Sequence, residues 1–117
     1  MKKFLLLNSK VIELINEYMP PEQNIEILTN FYSCFSDKTR IKIILLLSIS
    51  SLCVNDICTV LDMNQTTISH QLKYLKDCKI INSERDGKII KYFLAFPEIK
   101  ELLNLGVTFI IKENILY

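Results

Sequence analysis

A mainly α-helical fold with one small β-hairpin is the fold class that this sequence predicts, in the arrangement of a winged helix-turn-helix. Residues 55–78 carry two short helical patterns with a three-residue break between them, and residues 80–94 carry two strand patterns joined by a tight turn. A helix pair followed directly by a β-ribbon wing is typical of proteins that place the second helix in a DNA groove. Apolar helical patterns in residues 1–20 and 97–117 predict two further helices that join subunits into a dimer.

Length and composition are those of one ordinary globular domain, residues 1–117. Apolar residues make up 50% of the chain, with only two Gly and three Pro, so helix is favoured over disorder. The formal net charge of +1 is too small for unspecific coating of nucleic acid. Contact with DNA therefore depends on a local cluster of cations, which one window supplies: Lys73, Lys76, Lys79, Arg85, Lys88 and Lys91.

The first helix is predicted from Phe4 to Met19, where apolar residues recur at alternating spacings of three and four, and Pro20-Pro21 ends it. Its apolar stripe either packs on a second subunit or covers the chain's own core, and both alternatives stay open. The apolar run at the amino terminus is too short for a signal peptide, and no stretch reaches the ~20 apolar residues that cross a bilayer. We therefore expect a cytoplasmic protein without a membrane partner.

Two helices are predicted next, Glu22 to Phe35 and Lys38 to Ser48. Ser36 or Asp37 is expected to cap the second of them by accepting a hydrogen bond from a backbone N–H. Arg40 lies one turn inside that helix, where it either pairs with Asp37 or reaches a phosphate. The ion pair is the favoured interpretation.

Asn55 or Asp56 is expected to cap the first helix of the helix-turn-helix, and Asn64 the second. The second helix is the candidate recognition helix. Its inward residues recur at helical spacing and are Ile68, Leu72 and Leu75. Its outward residues can donate and accept hydrogen bonds, as contacts with base edges require, and are Gln65, Thr66, Thr67, Ser69, His70 and Gln71.

The hairpin is predicted as Ile80 to Arg85 and Lys88 to Leu94. It turns at Asp86-Gly87, a pair that readily adopts the positive φ of a tight turn. Arg85, Lys88 and Lys91 flank this turn and place cations on a projecting wing, where a phosphate backbone can pass.

Pro97 starts a last helix from Glu98 to about Asn114. No charged residue occurs from Leu102 to Ile111. A helix that is apolar all round needs cover on more than one side, and a partner subunit is the simplest cover.

Four segments resemble the ArsR/SmtB family of small dimeric winged-helix repressors. They cover most of the chain in the family's order: residues 35–44 (FSDKTRIKII), 52–58 (LCVNDIC), 67–75 (TISHQLKYL) and 85–88 (RDGK) with Tyr92. The first looks like the family's Ser-Asp-x-Thr-Arg helix start, the third like its recognition helix and the fourth like its wing. The resemblance implies a homodimer built from the first and last helices, and repression that an inducer, often a metal ion, relieves.

The same resemblance makes Cys53 and Cys58 candidate ligands of a thiophilic metal ion or arsenite. They match the first and third cysteines of the family's Leu-Cys-Val-Cys-Asp-Leu-Cys motif, whose middle position is Asn55 here. Such ions take three or four sulfur ligands, and two cysteines five residues apart on a helix lie roughly 7.5 Å and about 140° apart. The pair can share an ion only if the backbone between them is not helical, with Cys34 or a partner's cysteine as a further ligand.

Two other sensing sites known in such proteins lack their residues in this sequence. The interfacial zinc site uses Asp and His of the last helix, but the only histidine is His70. Redox or persulfide sensing stays open, although its cysteine pair joins the second and last helices, and the last helix has no cysteine to pair with Cys34. Cys78 is interpreted as a core residue at a helix end, and all four cysteines are expected as free thiols.

The sequence therefore predicts a sequence-specific DNA-binding transcriptional repressor, released from its operator by a thiol-reactive metal, metalloid or redox signal. Residues of the recognition helix choose the sequence, and the cations that hold phosphates are Lys73, Arg85, Lys88 and Lys91. Two alternatives stay open: a winged-helix module that joins two proteins without touching DNA, and a family member that senses no metal. An enzyme is not expected, because Ser69 and His70 are neighbours on a helix and point to different sides.

Overall fold

The computed structural model describes residues 5–113 and confirms the predicted fold class. In this part of the chain, a two-stranded antiparallel hairpin follows five helices and precedes a sixth. One compact unit ends at Tyr32 and a second begins at Ser33. The elements in chain order are α1 (Ser9–Tyr18), α2 (Glu22–Ser33), α3 (Lys38–Leu47), α4 (Val54–Leu61), α5 (Gln65–Asp77), β1 (Ile81–Asp86), β2 (Ile89–Leu94) and α6 (Glu98–Lys112).

The helix α1 begins later than the sequence predicts. The side-chain oxygen of Asn8 accepts a hydrogen bond from the backbone N–H of Val11 at 3.0 Å and caps a helix that begins at Ser9. Residues 5–8 are not helical, which corrects the predicted start, and Phe4 lies outside the described residues. No residue of α1 is buried, so its apolar stripe stays exposed in the single chain.

The core of the second unit forms where α3, α4, α5, the hairpin and α6 meet. Its buried residues are Cys34, Ile43, Ile44, Leu47, Ile57, Ile68, Leu72, Leu75, Ile80, Ile81 and Ile99. They include the three residues of α5 that were expected to face inward, so that prediction is confirmed. One face of α5 is thereby fixed to the core, which leaves the opposite face towards solvent.

The hairpin turns one residue later than predicted. Asp86 pairs with Ile89, so the two turn residues are Gly87 and Lys88 and not Asp86-Gly87. Gly87 has a φ of 65°, and Lys88 does not share the positive φ, which is the pattern of a type II′ turn. Lys88 therefore lies at the tip of the wing.

A second contact fixes the wing against the helix-turn-helix. The backbone N–H of Leu52 donates to the carbonyl of Tyr92 at 3.1 Å, and the N–H of Tyr92 donates to the carbonyl of Leu52 at 2.8 Å. Leu52 lies two residues before the start of α4, so this bridge sets the position of β2 relative to that helix.

In the described residues, α6 buries Ile99 alone. Leu105 and Phe109 expose 70% and 59% of their surface, and the helix leaves apolar side chains on several sides uncovered. Glu113 caps the helix, and Asn114, the predicted end, lies outside the described residues. Across residues 5–113, no helix combines the length and apolar character needed to cross a membrane.

Candidate nucleic-acid interface

A tight turn between α4 and α5 builds the helix-turn-helix. Asp62 ends α4 in the left-handed conformation at a φ of 53°, and the backbone N–H of Met63 donates to the carbonyl of Cys58 at 3.1 Å. Asn64 then caps α5, as predicted, by accepting a hydrogen bond from the backbone N–H of Thr67 at 2.8 Å. These local contacts fix the residue at which α5 begins. They therefore also fix which side chains form its first turn.

The start of α4 is capped differently from the prediction. Cys53, and not Asn55 or Asp56, is the N-cap, because α4 begins at Val54. The Asp56 carboxylate reaches back and accepts hydrogen bonds from the backbone N–H of Cys53 at 3.0 Å and from its thiol at 3.1 Å. These two bonds, the backbone one first, lower the pKa of Asp56, so the cap is complete above the usual carboxyl pKa and is lost as the pH falls through the lowered value.

The polar face of α5 is open to solvent at its first turns. Its exposed members are Gln65, Thr66, His70 and Lys73, and its half-buried members are Thr67, Ser69 and Gln71. Side chains that read base edges have to project from the protein surface into the groove. The exposed group is therefore in the better position to contact bases.

Arg40 does not form the predicted ion pair with Asp37. Its Nε donates to the carbonyl of Cys34 at 2.9 Å, and one of its terminal nitrogens donates to the carbonyl of Ser33 at 3.2 Å. Arg40 reaches the Asp37 carboxylate through its backbone N–H instead, at 3.0 Å. The planar guanidinium group can donate hydrogen bonds to two carbonyls at the end of α2 at the same time. A positive charge at the carboxyl end of a helix also interacts favourably with the helix dipole.

The same guanidinium contacts α5 through Gln71 and Tyr74. Its other terminal nitrogen donates to Oε1 of Gln71 at 3.3 Å, and its central carbon lies 4.3 Å from the centroid of the Tyr74 ring. The acceptor oxygen of Gln71 is thus engaged within the protein. Bidentate recognition of adenine uses that oxygen, so Gln71 has to leave Arg40 before it can read a base in this way.

The cations near the hairpin differ in how available they are to DNA. Arg85 and Lys88 are exposed towards the tip of the wing, and Lys73 is exposed on α5. Lys91 forms an ion pair with Asp86 at 3.0 Å, and the hydrogen bond to that carboxylate raises the pKa of Lys91. Three of the four residues predicted to contact phosphates, Lys73, Arg85 and Lys88, are therefore exposed without an ion pair. The charge of Lys91 is partly neutralised by Asp86.

A groove of about 240 Å³ joins the recognition helix to the wing. Gln65, at the start of α5, and Lys88, at the tip of the hairpin, both line it. The other lining residues are Cys53, Val54, Asn55, Ile89 and Ile90. The fold thus brings a candidate for base contact and a candidate for phosphate contact onto one concave surface.

The candidate metal ligands Cys53 and Cys58 do not converge. The backbone is helical from Val54 to Leu61, so the non-helical connection that sharing one ion requires is not present. The Cys53 thiol donates to Asp56, and residues 5–113 contain no group of three or more metal-ligating side chains. The donors of one chain therefore do not fit a thiophilic ion, which takes three or four sulfur ligands.

Two other cysteines are neighbours in the fold, which the sequence does not predict. Cys78 lies near the thiol of Cys34 and contributes to its raised pKa, although the two residues are far apart along the chain. Cys34 is fully buried, and burial and then the neighbouring Cys78 raise the pKa of its thiol to about 11. Cys78 is the half-buried C-cap of α5. No local pattern signals this pair, because only the packing of α5 against the turn after α2 brings the thiols together.

Comparison with known proteins identifies the family. The model of the family described as bacterial regulatory protein, arsR family, matches residues 37–83, which contain α3, α4, α5 and the start of β1. The chain is 38% identical over 90 residues to the cadmium resistance transcriptional regulatory protein CadC of Listeria innocua. That match covers 76% of this chain and 74% of the relative.

Solved structures share the fold. The antimony-specific transcriptional repressor AntR is 25% identical with a TM-score of 0.70, and the match covers 80% of this chain and 86% of that one. A homodimeric winged helix-turn-helix DNA-binding domain from Mycobacterium bovis is 21% identical with a TM-score of 0.69, over 85% of this chain and 94% of that one. Together with the match to CadC, these findings show that the chain belongs to the ArsR/SmtB family and is a DNA-binding transcriptional repressor.

Proposed function

We propose that the protein binds a near-palindromic operator as a homodimer, with α5 in the major groove and the wing against the phosphate backbone. The observation that supports this most directly is the exposure of Gln65, Thr66 and His70 on a helix whose opposite face is buried in the core. A helix that is fixed by one face and carries donors and acceptors on the other can insert its side chains into a major groove.

The proposed contacts with DNA divide into two classes. Gln65, Thr66 and His70 contact base edges and choose the sequence, because amide, hydroxyl and imidazole groups match the donor and acceptor pattern of the major groove. The exposed cations contact phosphates and set the affinity and its salt dependence; they are Lys73, Arg85 and Lys88. Four further residues lie at the edge of this surface and are half-buried or ion-paired: Thr67, Ser69, Gln71 and Lys91.

A second copy of the chain is the proposed partner at α1 and α6. The apolar side chains of α1 are all unburied, and α6 exposes Leu105 and Phe109. Exposed apolar surface of this kind on a helix marks a protein interface. The Mycobacterium bovis domain of the same fold is described as homodimeric. A two-fold dimer places its recognition helices about 34 Å apart in successive major grooves, which accounts for a near-palindromic operator.

Replacing Gln65 or His70 by alanine is expected to reduce the preference for operator over random DNA by ~1–3 kcal/mol, because each loses contacts that only the operator bases provide. Arg85→Ala and Lys88→Ala are expected to weaken binding to both DNAs alike and to lower its salt dependence. Titration of labelled operator and random duplexes at several salt concentrations measures both effects.

Gln23→Ala is the matched control, because it removes the same amide from an exposed position of α2. It is expected to leave both affinities unchanged. Thr67→Ala and Gln71→Ala are expected to change the preference less than Gln65→Ala, since both residues are half-buried. An equal loss on operator and random DNA for the Gln65 and His70 variants would contradict their assignment to base contact.

The operator itself is tested by a mobility-shift assay with the promoter region of the chain's own gene. We expect the protein to retard this DNA. Unlabelled operator DNA is expected to abolish the retardation, and random DNA is not. Absence of retardation at low salt would favour the alternative, a winged-helix module that joins two proteins. The relatives are transcriptional regulators, and the proposal contains no catalytic step.

The proposal also contains no release step through Cys53 and Cys58. The names of CadC and AntR refer to cadmium and antimony, but in this chain the two cysteines supply two sulfurs that do not converge. We therefore expect Cys53→Ser and Cys58→Ser to leave the response of the protein–operator complex to Cd²⁺ or arsenite unchanged. Anisotropy of a labelled operator measures that response. A release that either substitution abolishes would contradict the expectation and assign the metal to these cysteines.

A further inference from the structure

Arg40 holds the side chain of Gln71 at the edge of the surface of α5 that is proposed to face DNA. A terminal nitrogen of Arg40 donates to Oε1 of Gln71 at 3.3 Å. An arginine side chain has donors and no acceptor, so only the amide oxygen of a glutamine can bond to it. The contact therefore fixes which end of the Gln71 amide faces the guanidinium, and the NH2 group is the end that points away from it.

Arg40 is itself fixed by several groups, so the orientation of Gln71 follows from that of Arg40. Its Nε donates to the carbonyl of Cys34 at 2.9 Å, and its second terminal nitrogen donates to the carbonyl of Ser33 at 3.2 Å. Its central carbon lies 4.3 Å from the centroid of the Tyr74 ring. All three nitrogens of the guanidinium thus donate to protein acceptors. Because the group is planar and rigid, it cannot turn to a new acceptor without breaking several of these bonds.

The amide nitrogen of Gln71 is open to a partner outside the protein. Within residues 5–113, the side chain of Gln71 makes its hydrogen bond through the oxygen. No buried side-chain nitrogen or oxygen in that part of the chain lacks a partner, so solvent reaches this nitrogen. Gln71 is half-buried, and its neighbour His70 is exposed. A donor group therefore lies beside a residue that is proposed to contact bases.

We propose that Arg40 is a positioning residue for base recognition, and that Gln71 reads guanine or thymine and not adenine. Guanine presents N7 and O6 in the major groove and thymine presents O4, and all three atoms accept hydrogen bonds from an NH2 group. Adenine, the usual partner of glutamine, needs the amide oxygen and nitrogen together, because its N6 donates and its N7 accepts. The inference rests on the proposed function and adds to it the bases that this residue prefers.

Competition titrations measure the base preference, with operator duplexes that carry each base pair in turn at one position. We expect one position in each half-site at which the wild-type protein prefers guanine or thymine. Gln71→Ala is expected to remove that preference, a change of ~2–10-fold, which is the size of one neutral hydrogen bond. Preferences at the other positions are expected to stay as they are in the wild-type protein.

Gln71→Glu separates the two ends of the amide. A carboxylate keeps an acceptor for Arg40 but has no donor, so we expect this variant to lose the same preference as Gln71→Ala. Its added negative charge lowers the affinity for every duplex, which leaves the ratio between duplexes as the measured quantity. Gln23→Glu, which adds the same charge at an exposed position of α2, is the matched control and is expected to keep the preference.

Arg40→Ala examines the positioning role. Without the guanidinium, the Gln71 amide can turn its oxygen outward, so adenine is expected to bind at least as well as the base that the wild-type protein prefers at this position. A role in stability alone would weaken binding to all duplexes by one factor and leave the preferred base unchanged. Circular dichroism checks the fold of this variant, and the base that the wild-type protein prefers decides the outcome if it is unfolded.

Adenine or cytosine as the preferred base of the wild-type protein at this position would overturn the proposal. An equal loss of affinity for all duplexes in Gln71→Ala would do the same, because it is the result expected of a contact with phosphate. An unchanged preference in a folded Arg40→Ala protein would refute the positioning role. If the wild-type protein does not prefer operator to random DNA, the proposed function fails and this inference fails with it. If it does prefer operator, a failure in the Gln71 and Arg40 variants concerns this inference alone.

Discussion

Leu105→Glu and Phe109→Glu are each expected to convert the protein to single subunits and to lower operator affinity by ~100-fold or more, which is about 2.7 kcal/mol. The two residues lie one turn apart on one face of α6 and are 70% and 59% exposed in the single chain. Burial of such a side chain contributes about 1.5–3 kcal/mol to an interface, and an unpaired carboxylate in its place opposes association further. In a dimer, binding of one subunit to its half-site places the other subunit at a high effective concentration near the second half-site. Separate subunits lose this gain in affinity.

Sedimentation velocity and operator titration measure the two effects. Asn104→Asp is the matched control, because it adds the same charge at an exposed position of α6 and is expected to leave the dimer and its affinity intact. Since Leu105 and Phe109 are exposed, their replacement is expected to leave the fold of the subunit unchanged, which circular dichroism checks. A Phe109→Glu protein that stays dimeric and binds operator with full affinity would contradict the role given to α6.

Features that depend on one helical turn were predictable from the sequence. The spacing of Ile68, Leu72 and Leu75 gave the buried face of α5, and Asn64 is the residue type that caps a helix through its side chain; both predictions are confirmed. The cap of α4 was predicted wrongly. A carboxylate three residues inside a helix, such as that of Asp56, can reach back to the cap, so its presence does not fix where the helix begins.

Features that depend on distant residues were not predictable. The hairpin register is fixed by strand pairing and by the bridge of Tyr92 to Leu52, so the position of the turn shifted by one residue. Cys34 and Cys78 become neighbours only when separate elements pack together. The sequence therefore predicted which face of α5 forms the candidate site. It did not predict which side chains on that face make hydrogen bonds within the protein, as Gln71 does with Arg40.

Arg40→Ala is expected to destabilise the protein by about 2–3 kcal/mol. The guanidinium donates to the carbonyls of Cys34 and Ser33 and to Gln71, and hydrogen bonds from a charged group contribute about 1.5–3 kcal/mol. Its contact with the half-exposed Tyr74 ring adds about 0.5–1 kcal/mol. Arg40→Lys is expected to restore little of this, because an ammonium group lacks the planar fork that serves several acceptors at once.

Urea unfolding measures the loss as a lower midpoint at unchanged slope. Lys42→Ala is the matched control: it removes the same charge from an exposed position of α3 and is expected to change the free energy of unfolding by no more than about 0.5 kcal/mol. Equal midpoints for Arg40→Ala and Lys42→Ala would show that the guanidinium does not hold α5 against the end of α2.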